Sequence, residues 1–170
     1  DNVAISITNP FPVGWNSGSY PDYNEGYYYA ESNSIYENNI LTAATGIATL
    51  NLSSDSQYIG NTISASIKGI HAQSCLNCLF QDNIIDDQLQ DSGSETGINT
   101  EENHDTELNS NIIFSNNTII ASQYGIRQDR GNEILIENNN ITGFIKYAGI
   151  YSHQGAEITD NNIERTQILD

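Results

Sequence analysis

The stretches that decide the fold are IIFSNNTI at residues 112–119, ILIENNNI at 134–141 and AEITDNNI at 156–163, which start 22 residues apart. Each stretch ends in an Asn that is followed two residues later by Ile. The same ending recurs upstream as ENNI at 37–40, GNTI at 60–63 and DNII at 82–85. Self-similarity at such a period is the sequence signature of a solenoid, in which each repeat stacks on the next.

Aligning the repeats on this Asn reveals three apolar columns. The anchors are Asn38, Asn61, Asn83, Asn117, Asn139 and Asn161, with spacings of 23, 22, 34, 22 and 22 residues. Two residues after them stand Ile40, Ile63, Ile85, Ile119, Ile141 and Ile163, and three residues before them stand Ile35, Tyr58, Phe80, Phe114, Ile136 and Ile158. The third column is the Ile of Gly46-Ile47, Gly69-Ile70, Gly97-Ile98, Gly125-Ile126 and Gly149-Ile150.

Each unit therefore carries three short β-branched or aromatic stretches separated by Gly, Asn, Ser and Asp, which is strand and turn chemistry. Coiling the units so that like positions stack would place successive strands about 4.8 Å apart with parallel hydrogen bonding. Ile on Ile then forms a continuous core, and Asn on Asn passes side-chain hydrogen bonds from coil to coil. The sequence predicts an all-β, right-handed parallel β-helix of about six 22-residue coils.

Over residues 33 to 168 these columns resemble the right-handed parallel β-helix superfamily, the architecture of pectate lyases and of many polysaccharide-active or adhesive extracellular proteins. The resemblance implies the fold and leaves the activity open, because this fold hosts unrelated functions. Two motifs of its polygalacturonase-type enzymes, Gly-His-Gly and Arg-Ile-Lys, do not occur in the chain. Their absence, together with the small number of coils, disfavours an enzyme.

The repeat also suggests how the chain is organised. Residues 33–170 form the predicted β-helix, with an enlarged third coil at about 86–109 that holds about 12 extra residues. Residues 1–32 alternate at Val3, Ile5 and Ile7 and are then rich in Tyr. We interpret this segment as an aromatic-rich N-terminal cap or as a degenerate first coil, because terminal repeats are commonly atypical.

Charge and composition exclude several classes of partner. The chain has 5 Lys and Arg against 22 Asp and Glu, a net charge of −17. Nucleic-acid binding and binding to anionic membranes both need basic clusters, so neither is expected. No apolar run is long enough to span a membrane. The start at Asp1 and the low Lys content fit a processed protein that is secreted or displayed at the cell surface.

The strand opened by each Gly-Ile should present two outward rows, because side chains alternate along a strand. The first row contains His71, Arg127 and Tyr151, and the second contains Glu101, Asp129 and His153. Glu101 and Asp129 could form the acid and base pair of a glycoside hydrolase. Alternatively, Arg127 could neutralise a uronate while Tyr151 or His153 transfers the proton in a lyase or epimerase. A mixed polar row is also what any solvated solenoid face requires.

Two further clusters contain possible metal ligands. Asp86, Asp87, Asp91 and Glu95 belong to an acidic stretch of the enlarged coil without Lys or Arg, and they could bind Ca²⁺ or form a solvated loop. Cys75 and Cys78 form a lone C-x-x-C pair. Zinc normally needs four ligands, so a disulfide or buried thiols are the preferred interpretations.

Two functional hypotheses follow. The first is an extracellular structural β-helix that self-associates head to tail into a filament, sheath or surface assembly, because its last coil has no evident cap and would expose an aggregation-prone edge. The second is a polysaccharide-active enzyme that uses the outward rows, with a sugar-binding adhesin module that uses the N-terminal aromatic residues as a further alternative.

Overall fold

The computed structural model describes residues 3–8, 30–31, 34–50, 53–87, 96–101, 109–121, 123–129, 131–143, 145–153 and 155–165. In this part of the chain the regular elements are all strands. They are β1 Val3–Thr8, β2 Ala30–Glu31, β3 Ser34–Tyr36, β4 Asn39–Leu50, β5 Ser53–Ser54, β6 Gln57–Ile59, β7 Thr62–Gln73, β8 Cys75–Gln81, β9 Ile84–Asp87, β10 Thr96–Glu101, β11 Asn109–Ser115, β12 Thr118–Ile120, β13 Tyr124–Gln128, β14 Gly131–Glu137, β15 Asn140–Gly143, β16 Ala148–Ser152, β17 Ala156–Thr159 and β18 Asn162–Arg165. Among the described residues no helix has the length and hydropathy to cross a membrane.

The strands form three parallel ladders that wind into a right-handed β-helix, as predicted. The Gly-Ile ladder contains β1, β4, β7, β10, β13 and β16. The aromatic ladder contains β2, β3, β5, β6, β8, β11, β14 and β17. The Asn-Ile ladder contains β9, β12, β15 and β18, and it continues into the first residues of β7 and β4.

The predicted register is confirmed in all three ladders. Ile119 lies opposite both Ile85 and Ile141, and Phe114 lies opposite Phe80 and Ile136. In the Gly-Ile ladder Ile5 of β1 pairs with Ile47 and so extends the column of inward Ile side chains by one coil. Inner coils bury these side chains almost completely, so the columns are the core.

Buried Asn side chains connect the coils at the turn between the aromatic and Asn-Ile ladders. Each anchor Asn donates its backbone N–H and its Nδ2 to the Oδ1 of the next anchor, as Asn83 does to Asn117 at 3.1 and 2.9 Å. The residue before each anchor has a positive φ, for example 55° at Asn116 and 54° at Asp82. Asn, Asp and Gly adopt this left-handed conformation most readily, which explains their recurrence at the turn.

The Gly of each Gly-Ile pair permits a close approach between coils. A Cβ on Gly97 would stand 2.4 Å from Ile119 Cγ2 and 2.6 Å from the carbonyl oxygen of Gly125. Such contacts are shorter than packed atoms tolerate, so only Gly fits there. A side chain at this Gly would point inward, toward an Ile of the Asn-Ile ladder. The Gly and the Ile that follows it therefore both face the core, and the in-and-out alternation of side chains along the strand is interrupted there.

The enlarged third coil is divided into two parts by strand β10. Its Gly97-Ile98 pair stays in register with the coils on both sides. The path from Ile85 to Ile98 and the path from Ile98 to Ile112 are each six residues longer than their counterparts in the next coil. The added residues therefore flank both ends of one strand on the Gly-Ile ladder.

Most of the N-terminal segment and residues 88–95 and 102–108 lie outside the described residues. Of residues 1–32 the structure describes only those of strands β1 and β2. Whether 1–32 is a cap or a degenerate coil, and the division into 1–32 and 33–170, therefore stay predictions.

Candidate functional site

The outer side of the Gly-Ile ladder brings together the residues of the first predicted row. His71 lies opposite Asn99, Asn99 opposite Arg127, and Arg127 opposite Tyr151 on successive strands. The row is less exposed than simple alternation predicted, because Asn99 is buried. The second row follows the ends of these strands, where Glu101 pairs with Gln73.

Glu101 is the centre of a half-buried group of side chains that we call the ion cluster, formed by Lys68, His71, Asn99 and Glu101. Lys68 Nζ lies 3.0 Å from Glu101 Oε1, and His71 Nε2 lies 3.1 Å from Glu101 Oε2. Asn99 Nδ2 donates to Oε1 at 2.5 Å. The ammonium of Lys68 also lies 3.3 Å from His71 Nε2 and 3.5 Å from His71 Nδ1.

These contacts keep the Glu101 carboxyl ionised. The hydrogen bond from His71, followed by those from Lys68 and Asn99, lowers the pKa of Glu101 far below its usual value, although partial burial opposes the shift. A carboxyl that is ionised at all ordinary pH values cannot donate a proton as a general acid. The other predicted carboxylate, Asp129, is paired with Arg127 at 3.0 Å. An ionised carboxylate can still serve as the base or nucleophile of a hydrolase, so the assignment of Glu101 and Asp129 as an acid and base pair stays a prediction.

Three tyrosines form an aromatic cluster beside the ion cluster, and we call Tyr124, Tyr147 and Tyr151 the tyrosine face. The ring of Tyr124 stacks on that of Tyr147 with centroids 5.3 Å apart, and Tyr151 meets Tyr124 edge-on at 5.8 Å. Tyr147 is 59% exposed and Tyr151 is 37% exposed. Exposed aromatic rings held against one another form a preorganised apolar surface.

Polar and basic groups surround the tyrosine face. Lys146 Nζ lies 5.2 Å from the ring centroid of Tyr147, and the guanidinium of Arg127 lies 5.8 Å from that of Tyr124. The hydroxyl of Tyr151 lies 3.5 Å from Nδ1 of the exposed His153. Thus Arg127, Tyr151 and His153 join one surface, as the predicted rows implied, while His71 and Glu101 belong to the adjacent ion cluster.

The sequence of the chain matches the model of a known protein family. The model of one protein family, described as "Periplasmic copper-binding protein (NosD)", matches residues 11–168. The chain belongs to the NosD family. This is a family of parallel β-helix proteins, in agreement with the fold described above. No curated protein and no solved structure matches the chain.

The predicted calcium ligands of this NosD-family chain are only partly described. Asp86 and Asp87 lie in β9, whereas Asp91 and Glu95 are outside the described residues. The described ranges contain no group of three or more His, Cys, Asp and Glu side chains that could hold a metal ion. Ca²⁺ binding at the enlarged coil therefore stays a prediction.

The C-x-x-C pair consists of two buried free thiols, one of the two preferred interpretations. Cys78 stacks in register on Ile112, so it occupies a core column. A hydrogen bond with Cys78 and complete burial raise the pKa of Cys75 well above its usual value. A protonated, inaccessible thiol is a poor nucleophile and a poor metal ligand.

Sequence reasoning did not identify Lys68, Tyr124, Lys146 or Tyr147. Lys68 and Tyr124 both directly precede the Gly of a Gly-Ile pair and are in register with Thr96. Strict alternation assigns that position to the inward side, but the interruption at the Gly invalidates this assignment. The sequence did contain one indication of these positions. The two Lys residues of the chain are Lys68, directly before a Gly-Ile pair, and Lys146, in the short turn before β16.

Proposed function

We propose that this chain is an extracytoplasmic β-helix module that binds a saccharide on the tyrosine face. The observation that carries the proposal is the cluster of Tyr124, Tyr147 and Tyr151 at the Gly-Ile ladder, in which the half-buried Tyr124 supports the exposed rings of Tyr147 and Tyr151. Sugar rings present apolar C–H faces that pack on aromatic rings, while their hydroxyl groups need hydrogen-bonding partners at the edge. The family description, which gives its members a periplasmic location, supports a place outside the cytoplasm.

The groups around the tyrosines suit the hydroxyl groups of a sugar. His153, Lys146 and Arg127 supply donors at the edge of the rings. Arg127 is paired with Asp129 and Lys68 with Glu101, so positive charge on this face is largely compensated. In a chain of net charge −17, such compensation favours a neutral or weakly charged saccharide over a polyanion.

Replacing Tyr147 and Tyr151 by Ala should weaken saccharide binding by at least about tenfold. Each lost stacking contact removes on the order of 1 kcal/mol, and a tenfold change in Kd corresponds to about 1.4 kcal/mol. Affinity electrophoresis in gels containing neutral, uronate or sulfated polysaccharides measures the effect, and the same polysaccharides are assayed for cleavage.

The matched control for this experiment is Tyr36→Ala. Tyr36 is 45% exposed but lies on the aromatic ladder, away from the tyrosine face. It should leave binding unchanged. The proposal is wrong if no polysaccharide retards the unaltered protein, or if Tyr36→Ala weakens binding as much as the double variant. Cleavage that depends on Glu101 or Asp129 would instead favour the enzyme hypothesis.

A second candidate function, head-to-tail self-association, is supported by a separate observation. Ile158 and Ile163 are 49% and 47% exposed, whereas the residues at the same positions of the inner coils are buried. Within the described residues β16, β17 and β18 pair on one side only. In a second copy, β16 can pair in parallel with β1, β17 with β2 and β3, and β18 with the first residues of β4, all of which pair on one side only within the described ranges.

Ile163→Lys should prevent this association, because a charge at the exposed edge opposes strand pairing. Sedimentation velocity at increasing protein concentration should show growing assemblies for the unaltered chain and a monomer for the variant. Ile120→Lys is the control, since Ile120 is 41% exposed on the same ladder but in an inner coil. A monomer at every concentration, or equal loss in both variants, would contradict the idea.

The family description names copper, and the described residues do not fit a copper centre. Copper prefers Cys, Met and His ligands. The chain has no Met, and Cys75 and Cys78 are buried, with the pKa of Cys75 raised. His153 is an exposed neighbour of Tyr151, and His71 is in contact with the ammonium of Lys68. The proposed function therefore does not include copper.

A further inference from the structure

We propose that the ammonium group of Lys68 occupies the position of a metal ion between His71 and Glu101. This inference does not depend on saccharide binding. It concerns the disagreement between the copper named for the family and the residues of this chain. Lys68 supplies a permanent cation at a place where donor groups suited to copper come together.

The ammonium contacts two side chains whose donor atoms could instead ligate a divalent cation, His71 through one of its ring nitrogens and Glu101 through its carboxylate. It lies 3.0 Å from Glu101 Oε1 and 3.3 and 3.5 Å from the two ring nitrogens of His71. Imidazole nitrogen and carboxylate oxygen are both ligands for divalent transition metals. Without Lys68, the carboxylate would lose its cationic partner, which is the largest positive charge in the cluster.

A further oxygen atom of the ion cluster is buried without a hydrogen-bond partner among the described residues. Asn99 donates its Nδ2 to Glu101, but its Oδ1 is buried and has no hydrogen-bond partner among the described residues. A buried carbonyl oxygen without a donor is costly, and it can be satisfied by a cation or a water molecule. His71 and Glu101 thus offer one nitrogen and one carboxylate beside the ammonium, and the buried Oδ1 of Asn99 is an additional oxygen of the same cluster that no described donor satisfies.

Lys68 prevents metal binding for two reasons. The ammonium fills the space between the donors, and its positive charge repels a second cation at short distance. His71 Nε2 is also hydrogen-bonded to Glu101 Oε2 at 3.1 Å, so Nδ1, 3.5 Å from Lys68 Nζ, is the ring nitrogen left for a metal ion. A metal ion could reach that nitrogen only by displacing Lys68.

Removing the ammonium should therefore create copper binding between His71 and Glu101. We expect Lys68→Ala to raise the affinity for Cu²⁺ by at least tenfold, and Lys68→His, which adds a third strong ligand, by more. Titration calorimetry with a copper salt measures affinity. Electron paramagnetic resonance detects nitrogen coordination through hyperfine splitting.

Two comparisons make the result specific. The double change Lys68→Ala with His71→Gln should lose the gain, because it removes the nitrogen ligand. Arg165→Ala, which deletes a positive charge on an exposed residue of β18, should bind copper no better than the natural chain. Circular dichroism checks folding, and Lys68→Gln replaces Lys68→Ala if the Ala variant does not fold.

The inference is overturned by any of three results. One is nitrogen-coordinated copper in the natural chain that disappears with His71→Gln. Another is a folded Lys68 variant with unchanged copper affinity. The third is a gain that persists after His71→Gln. None of these results bears on Tyr147 and Tyr151, so the saccharide proposal is tested separately.

Discussion

Asn117→Ala is expected to destabilise the protein by about 3–5 kcal/mol, because several buried polar groups would each lose a partner at a cost of about 1–3 kcal/mol. Asn117 Oδ1 accepts from the N–H and the Nδ2 of Asn83 at 3.1 and 2.9 Å. Its Nδ2 donates to Phe80 O and to Asn139 Oδ1, both at 2.9 Å. The site is fully buried, so water cannot replace the lost bonds. Urea unfolding followed by circular dichroism measures the change.

Asn140→Ala is the control for Asn117→Ala. Asn140 is exposed and accepts one hydrogen bond from Asn162 at 2.9 Å, so its loss should change the free energy of unfolding by no more than about 0.5 kcal/mol. If Asn117→Ala lowers the free energy of unfolding as little as Asn140→Ala does, the hydrogen bonds between the buried anchor Asn residues do not stabilise the stacking of the coils.

Phe80→Ala should destabilise the protein by about 3–5 kcal/mol through the cavity that it creates. Phe80 is buried between two rings, with Tyr58 at a centroid distance of 4.5 Å and Phe114 at 5.0 Å, and both pairs are nearly parallel. Loss of the ring removes two stacking contacts, each about 0.5–1.5 kcal/mol beyond its buried area. The drop in the urea midpoint, read with the slope of the transition, measures the effect.

Two further variants separate packing from other effects of Phe80→Ala. Phe80→Leu keeps much of the volume and should cost less than the Ala variant. Leu76→Ala lies on the same strand but is exposed, so it should be nearly neutral. Equal costs for Phe80→Ala and Leu76→Ala would show that the aromatic stack does not stabilise the core.

Both predictions concern positions that the repeat identified without a structure. Asn117 and Phe80 belong to columns that recur once per coil, and stacking like on like is the arrangement that lets such columns be buried. The register is therefore determined by the pattern, as the pairing of Ile119 with Ile85 and Ile141 confirms. Ordinary surface residues have no such recurrence, which is why the site was harder to predict.

The candidate site was only partly predictable. The period of two placed His71, Arg127 and Tyr151 in one row, and the ladder confirms their register, with Asn99 of β10 between His71 and Arg127. The same rule did not place Lys68 and Tyr124 there, because the Gly after each of them interrupts the alternation. Nor could spacing reveal that Glu101 accepts three donors, since those donors come from two coils whose side-chain conformations depend on packing.

By itself the sequence determined that this protein is a parallel β-helix, which columns form its core and which Asn residues connect its coils. One residue type repeated at one period leaves little choice of register, since a shift would remove every Ile from the core. Only the tertiary structure decided that three tyrosines gather on one face and that Lys68 lies between His71 and Glu101. Those features depend on contacts between non-repeating side chains of different coils. The conformations of these side chains depend on local packing, which a periodic sequence pattern does not specify.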